Sequence, residues 1–371
     1  MRVLVDLTSL ADNFSGIERF ALCITKELLS GSPKDDMTYI LLFKNKIHQE
    51  FLGNQSNVQI SVLNGSNKLL FNQFVLPSAL LKIKADYYFF PAFPAPFFFF
   101  KKNAISTIHD VGCWDCPSNN KKYMTAYFKL MYWKAAFGTK RVVTVSEFSK
   151  ERISAVLKKI KSDITVVYDG LSDCFKNFKY DERMEKKAIK TYGLPLRYLL
   201  CLSTLEPRKN LRLLIEAYNQ LLEEEKIDID LVLAGRKGWY VDNLLSGLNE
   251  STVARIHFTG FIDDDLLPYV YRRAKLFVFP SIYEGFGVPP IEAMSMGIPV
   301  VSSDAASLPE TLGDAAILFS NNDCEDLKKK ILYVLRMDQQ ELLTRRDKGI
   351  EQAHKYDWKR EALKLKDSVF V

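Results

Sequence analysis

Long apolar runs are what this 371-residue sequence most clearly lacks. Its most hydrophobic stretch, Tyr87 to Phe100, is broken by Pro91, Pro94 and Pro96 and is too short to cross a bilayer as a helix. Nothing at the start reads as a signal peptide, because Met1-Arg-Val-Leu-Val-Asp6 has the pattern of a strand ending in a charge. The two absences predict a soluble or peripheral chain, cytoplasmic and at most resting on the inner face of the plasma membrane. Paired cysteines are also missing. Of six, only Cys113 and Cys116 form a C-x-x-C, and no second pair completes a zinc site. Reduced bystander thiols are the expectation. The dinucleotide fingerprint G-x-G-x-x-G is absent, and Gly235-Arg-Lys-Gly238 does not supply it. No segment has a disordered composition. With 47% apolar residues, the chain is long enough for two globular domains.

Charge is present but uneven. The net +6 divides into 22 Lys+Arg against 14 Asp+Glu over residues 1–172, and 29 against 31 over 173–371. A basic first half suits an anionic partner, nucleic acid or phospholipid, or is a bias of the solvated surface. No nucleic-acid-binding module is recognisable, so no nucleic-acid partner is expected.

Two halves alternate strand and helix. Strands are predicted at Val3–Leu7, Tyr39–Phe43, Val58–Leu63, Tyr87–Phe90, Ile105–Ile108, Val142–Val145 and Ile164–Val167. The second half repeats the pattern at Tyr198–Ser203, Ile229–Ala234, Arg255–Thr259, Leu276–Phe279, Val300–Ser302 and Ala316–Phe319. Their β-branched, continuously apolar character predicts an α/β protein with parallel sheets covered on both faces. The lysine-rich residues 173–196 read as a linker with a connecting helix. They separate a domain over 1–172 from one over 197–350, and residues 351–371 form a final helix.

The densest chemistry lies in Ser281-Ile-Tyr-Glu284-Gly-Phe-Gly-Val-Pro-Pro-Ile-Glu292-Ala-Met-Ser-Met-Gly297. A strand, a glycine-rich turn and a helix start make an anion site, with Gly285, Phe286 and Gly287 offering backbone N–H groups. Carboxylates there would repel phosphate but accept paired hydrogen bonds from neutral diols. Phosphate together with diols describes a sugar nucleotide. Ser203-Thr-Leu-Glu-Pro-Arg208-Lys209-Asn210 adds two adjacent cations after another strand, placed where the helix dipole disfavours them. Such cations suit a departing diphosphate.

Glu284 and Glu292, separated by seven residues, resemble the E-x7-E signature of retaining glycosyltransferases of the GT4 family. The surrounding Y-E-G-F-G-x-P-x-x-E-A-M-x-x-G-x-P-V-V and the Glu206-Pro-Arg-Lys-Asn210 run resemble the same family. That resemblance implies a GT-B fold of two Rossmann-like domains facing each other across a crevice, with the final helix returning to the first. It implies that Glu284, Arg208, Lys209 and the Ile108-His109-Asp110 histidine serve catalysis, His109 holding the sugar near its reacting carbon. Gly16, Ser203, Phe261, Ile262, the 285–287 turn and Glu292 would bind the donor. At Gly16 the family has a glycine pair where this chain has Ser15-Gly16, so a plain turn glycine remains an equal reading. The resemblance further implies a hexose donor, GDP-mannose in the first place, and same-face attack with retention, since no third carboxylate stands as a glycosidase-type nucleophile. The acceptor would be a lipid-linked surface glycan such as O-antigen. Rhamnosyl or glucosyl donors, or a sugar-nucleotide epimerase on the same fold, are the rivals.

No cofactor and no metal are expected. Asp263-Asp-Asp265 looks like a metal-binding D-x-D, but opens a helix where acids cap. Phe97–Phe100, followed by Lys101 and Lys102, reads either as a shallow anchor on an anionic membrane or as core. The helix Lys121–Phe137, mixing lysines with Tyr123, Tyr127, Met131 and Trp133, supports the anchor.

Overall fold

The computed structural model describes the chain except residues 11–15, 31–36, 54–55, 68–69, 118–121, 159–162, 239–242 and 371. All thirteen expected strands are present within one residue at either end. The first seven are β1 (Arg2–Asp6), β2 (Thr38–Lys44), β3 (Val58–Leu63), β4 (Tyr87–Phe90), β5 (Ala104–Thr107), β6 (Arg141–Thr144) and β7 (Ile164–Val166). They form one parallel sheet in the order β3-β2-β1-β4-β5-β6-β7. Central β1 buries Val3, Leu4 and Val5 completely, whereas edge strand β3 leaves Gln59, Ile60 and Val62 exposed. That contrast is what a sheet covered on both faces imposes on its middle but not its rim.

The other six are β8 (Tyr198–Leu202), β9 (Asp230–Ala234), β10 (Ile256–Gly260), β11 (Leu276–Phe279), β12 (Val300–Ser303) and β13 (Ile317–Phe319). They make a second parallel sheet, ordered β10-β9-β8-β11-β12-β13. Helix Leu211–Glu224 covers it with Leu211, Leu214, Ile215, Tyr218 and Leu221, recurring at three- and four-residue spacing. Each such aliphatic side chain contributes about 1.5–3 kcal/mol by leaving water.

The chain packs as two compact units, Met1–Gly170 with Asp357–Val371, and Leu171–Tyr356. Residues 173–196, which lysine-rich composition marks as a linker, instead belong to the second unit. They form helices Asp173–Lys176 and Glu182–Tyr192. Phe175 packs edge-on to Tyr271, Ala188 is buried, and the Asp181 N–H donates to the Tyr269 hydroxyl. A thin apolar stripe under a charged surface was enough. Residues 351–354 likewise complete the helix Gln339–His354, so the chain rejoins the first unit only at Asp357. Asp357 caps the last helix, Trp358–Val369. Trp358 meets Phe20 of helix Gly16–Leu29 at 5.6 Å, and buried Glu361 accepts the Tyr168 N–H at 3.1 Å.

Candidate active site

In the second sheet, β8 and β11 are neighbours from which the strand order runs in opposite directions. Open α/β sheets bind ligands beyond the carboxyl ends of such a pair. The loops leaving these two strands, 203–210 and 280–287, meet there. The Ile282 N–H donates to the Arg208 carbonyl at 2.9 Å, and the Ser281 hydroxyl oxygen lies 3.1 Å from the same carbonyl oxygen. Two sequence motifs some 75 residues apart thus share one corner.

That corner is an ion cluster. Lys209 Nζ donates to Glu284 Oε1 at 2.6 Å, Ser281 Oγ donates to the same oxygen at 2.6 Å, and Arg208 Nη1 lies 3.7 Å from Glu284 Oε2. Arg208 is held from its other side by Glu206 at 3.1 Å. Lys209 also stands 5.6 Å from the Phe279 ring centre. Burial alone would push the Glu284 carboxyl up. The charges of Lys209 and Arg208, with hydrogen bonds from Lys209 and Ser281, outweigh it and hold the group below its ordinary range. Glu284 is therefore an ionised, buried counter-charge. It sits in the turn between β11 and the following helix, as the sequence implied, but buried there.

Glu292 is also buried, one turn inside the helix Val288–Ser295, and accepts from the Tyr271 hydroxyl at 2.9 Å. Gly287 caps this helix at φ +101°, a conformation that side chains resist, and an added Cβ would lie 2.7 Å from Leu308. Pro289 and Pro290 carry no N–H, so only Val288 and Ile291 among the helix's first four residues have backbone donors. Gly285, Phe286 and Gly287 are buried. The Phe286 ring packs against Tyr356, and its carbonyl accepts from Ser307 and Thr311. Its side chain belongs to the core.

Ser203 follows β8, and its buried hydroxyl finds only the weak Cys201 thiol beside it. Gly235, at φ +131°, brings its backbone against Ser203: a Cβ there would lie 1.9 Å from the Ser203 carbonyl oxygen. Beyond β10, Phe261 is exposed under the Arg236 guanidinium at 4.9 Å, while Ile262 is buried. The 263–265 acids, expected to cap, stand before the N-cap position, which Leu266 occupies. The following helix starts at Leu267 without a side-chain cap, and the Asp263 carboxylate accepts from Tyr192 at 3.3 Å. Among the described residues no three His, Cys, Asp or Glu side chains gather as a metal cage. None of the six cysteines forms a disulfide, and burial pushes the Cys113 and Cys201 thiols up to about 12.

In the first unit, His109 follows β5 with its Nε2–H donating to the Pro91 carbonyl at 3.0 Å and its ring edge-on to Phe20 at 5.1 Å. A carbonyl only accepts, so the proton sits on Nε2 and Nδ1 is the acceptor. Loss of solvation pulls this imidazole down to about 4, leaving it neutral at pH 7. Gly16 opens helix Gly16–Leu29 at the surface, and a Cβ there would meet nothing within 4 Å. Packing does not require glycine at this position. Asn13 and Ser15 lie outside the described residues. Sequence reasoning missed buried Asp169, beyond β7, whose carboxyl burial pushes up to about 8 against the opposing charge of Arg19. Its place after a strand end was the available signal. It also missed Ser281 and Tyr271, the hydroxyls that fix both glutamates. Nothing in local sequence marks them.

The family description "Glycosyl transferases group 1" matches residues 182–355, which carry the ion cluster and both glutamates. O-antigen chain mannosyltransferase B of Escherichia coli is 34% identical over 260 residues, covering 69% of this chain and 67% of that protein. Serotype-specific mannosyltransferase WbdA, also of Escherichia coli, is 40% identical over 144 residues, 37% of this chain and 17% of its own length. Anabaena HepE, solved with UDP and glucose, superposes with a TM-score of 0.73 at 16% identity, covering 100% of this chain and 99% of that one. The fold is the two-sheet GT-B class, and the chain belongs to the group 1 glycosyl transferases, a family of glycosyltransferases.

Proposed function

We propose that this glycosyltransferase moves mannose from GDP-mannose, with retention, onto a growing lipid-linked glycan of the O-antigen kind, at the cytoplasmic face of the membrane. The observation that carries it is the Arg208–Lys209–Glu284 cluster at the switch point of the second sheet. The mannosyltransferase relatives support the choice of sugar and acceptor. In this reading Arg208 and Lys209 receive the negative charge that grows on the leaving diphosphate. Glu284 and Glu206 fix those cations in advance, so little reorganisation is left for the transition state. Glu292, held by Tyr271, takes the ribose diol. Phe261 and Ile262 offer backbone to the base, and Ser203 and the 285–287 turn line the phosphates. His109, neutral, holds the sugar and presents an acceptor lone pair to charge at the anomeric carbon. Gly16 gives a ligand close approach to the chain. Two protein cations do the neutralising, so no metal or other cofactor is called for. Retention is carried by the family resemblance.

The test is transfer of labelled sugar from GDP-mannose, a rhamnosyl donor and UDP-glucose to a lipid-linked primer, with a chelator present. Product from GDP-mannose alone, with retained configuration and no chelator effect, is expected. Transfer from another donor would overturn the mannose assignment. Donor conversion that needs no acceptor would overturn transfer in favour of epimerisation.

A further inference from the structure

Helix Lys122–Gly138 is apolar on two faces. Inward it buries Thr125, Met131, Ala135 and Ala136. Outward, Tyr123 is 69% exposed, Leu130 50%, Trp133 56% and Phe137 56%, with Ala126 also exposed. Positions 123, 126, 130, 133 and 137 recur every three or four residues, so they form one stripe. A surface helix normally turns its polar side to water; this one does not. Lys121, expected in the same helix, lies outside the described residues.

The aromatic run after β4 extends the stripe. Phe99 is core, but Phe98 and Phe100 are 49% and 67% exposed, and Phe74 stacks on Phe98 at 5.9 Å. Lys134 ties this run to the helix. Its buried ammonium donates to the Pro96 carbonyl at 2.9 Å and to that of Phe99, and lies 5.5 Å from the Phe100 ring centre. The exposed rings are thus presented on a braced scaffold. Beside Phe137 opens a cavity of about 490 Å³, lined by Lys102, Lys140, Tyr87 and Asn103. Its one carboxylate, Asp86, accepts from the Arg2 N–H at 2.7 Å.

Charge selects the occupant. Residues 51–146 carry 11 Lys+Arg against 3 Asp+Glu, the whole +8 surplus of residues 1–172. A second copy of this chain would bring the same positive surplus to the same face and be repelled. Bulky rings among lysines, on a stripe rather than in a shaped pocket, suit the headgroup boundary of an acidic bilayer.

We propose that this face docks on an anionic phospholipid bilayer, with Phe98, Phe100, Trp133 and Phe137 entering the headgroup boundary and Lys102 and Lys140 holding a lipid phosphate at the cavity. Docking rests on, and deepens, the reading of the acceptor as lipid-linked, because it brings the enzyme to the surface where that acceptor is confined.

Flotation of the full chain decides it, with vesicles of phosphatidylcholine alone or with about a third phosphatidylglycerol. Each lysine at an acidic leaflet strengthens partition about fivefold, an effect that salt screens. Flotation is expected with the acidic vesicles, fading at about 0.5 M salt. K102E/K140E should lose at least about tenfold in partition, and F98S/F100S and W133S/F137S should each lose a similar factor. All six side chains are exposed, and circular dichroism checks that each variant folds. No flotation of the wild type at low salt overturns the proposal, as does unchanged flotation of all three variants. A dimer in sedimentation that W133S/F137S dissociates, without flotation, overturns it in favour of self-association. Flotation without sugar transfer leaves docking standing and sinks the functional reading. Transfer to a soluble acceptor without flotation does the reverse.

Discussion

Replacing Glu284 with alanine separates a carboxylate that merely touches substrate from one that also holds the site together. In the folded chain it is 7% exposed and accepts from Lys209 and from Ser281, each at 2.6 Å. Alanine deletes the acceptor and strands Lys209, whose side chain is only 12% exposed, with an uncompensated charge. Breaking a buried pair in this way costs about 3–5 kcal/mol. For a unit of this size that is roughly 6–20 °C of melting midpoint. Arg208 keeps Glu206 at 3.1 Å and adds little to the loss. Adding Lys209→Met removes the stranded cation, so the double variant should melt no lower than Glu284→Ala alone, although each single change destabilises. Ligand-free calorimetry measures the cycle, and single-turnover kinetics follow the surviving fold. The pH dependence checks the same idea. A carboxyl depressed in the folded chain contributes stability above its ordinary 4.5, and that stability is lost as pH falls through the folded value. The alanine variant should lack this acid-side loss. A Glu284→Ala midpoint within about 1 °C of wild type, or strictly additive losses in the double variant, would refute the counter-charge role.

Arg208→Ala and Lys209→Ala should each raise the transfer barrier by about 2–4 kcal/mol, read as kcat/KM with GDP-mannose, and a chelator should leave wild-type rates unchanged. Complete loss with chelator and rescue by manganese would refute the second half. His109→Ala should lower kcat about 10–100-fold. Because the imidazole sits at about 4, the wild-type rate should show no His109 inflection between pH 5.5 and 8, which a pH–rate profile and imidazole NMR both check. Asp169 runs opposite to Glu284. Its carboxyl is raised from 3.8 to about 8, so the unfolded chain holds fewer protons and stability falls as pH rises through that window. Asp169→Asn should therefore stabilise the chain by roughly 1–3 kcal/mol at pH 7.5 in denaturant titrations, and gain little at pH 4.

The strands were legible because the constraint on them is strong. A parallel strand covered on both faces has nowhere to put a polar side chain, so Leu276-Phe-Val-Phe279 and Val3-Leu-Val5 declare themselves. The candidate site was read from a related signal, since charged and glycine-rich runs directly after such strands have little to do in a core. What the sequence concealed was pairing. Arg208 and Lys209 read as cations awaiting a phosphate, and Glu284 as a carboxylate awaiting a sugar. Local sequence does not reveal that 203–210 and 280–287 meet at the β8–β11 switch and neutralise one another. The linker misread has the same origin: Phe175 and Ala188 are two packed residues in a lysine-rich run, and composition averages them away.

Phe97–Phe100 shows where the residue-by-residue reading ends. Four identical side chains leave no pattern from which to infer which are buried. In the structure the answer alternates, with Phe99 in the core and its neighbours Phe98 and Phe100 in solvent. The core reading and the surface reading were therefore each half right, for different rings. What decides between them is Lys134, 34 residues further on, whose ammonium grips the carbonyls of Pro96 and Phe99. Replacing an ammonium that has carbonyl acceptors and no carboxylate by methionine removes two hydrogen bonds but also the cost of burying a charge. Lys134→Met should thus change global stability little while loosening the 96–100 run, so that hydrogen exchange there rises and vesicle binding falls. A variant with unaltered exchange and unaltered binding would show that the rings are held by their own packing and that the lysine is incidental to them.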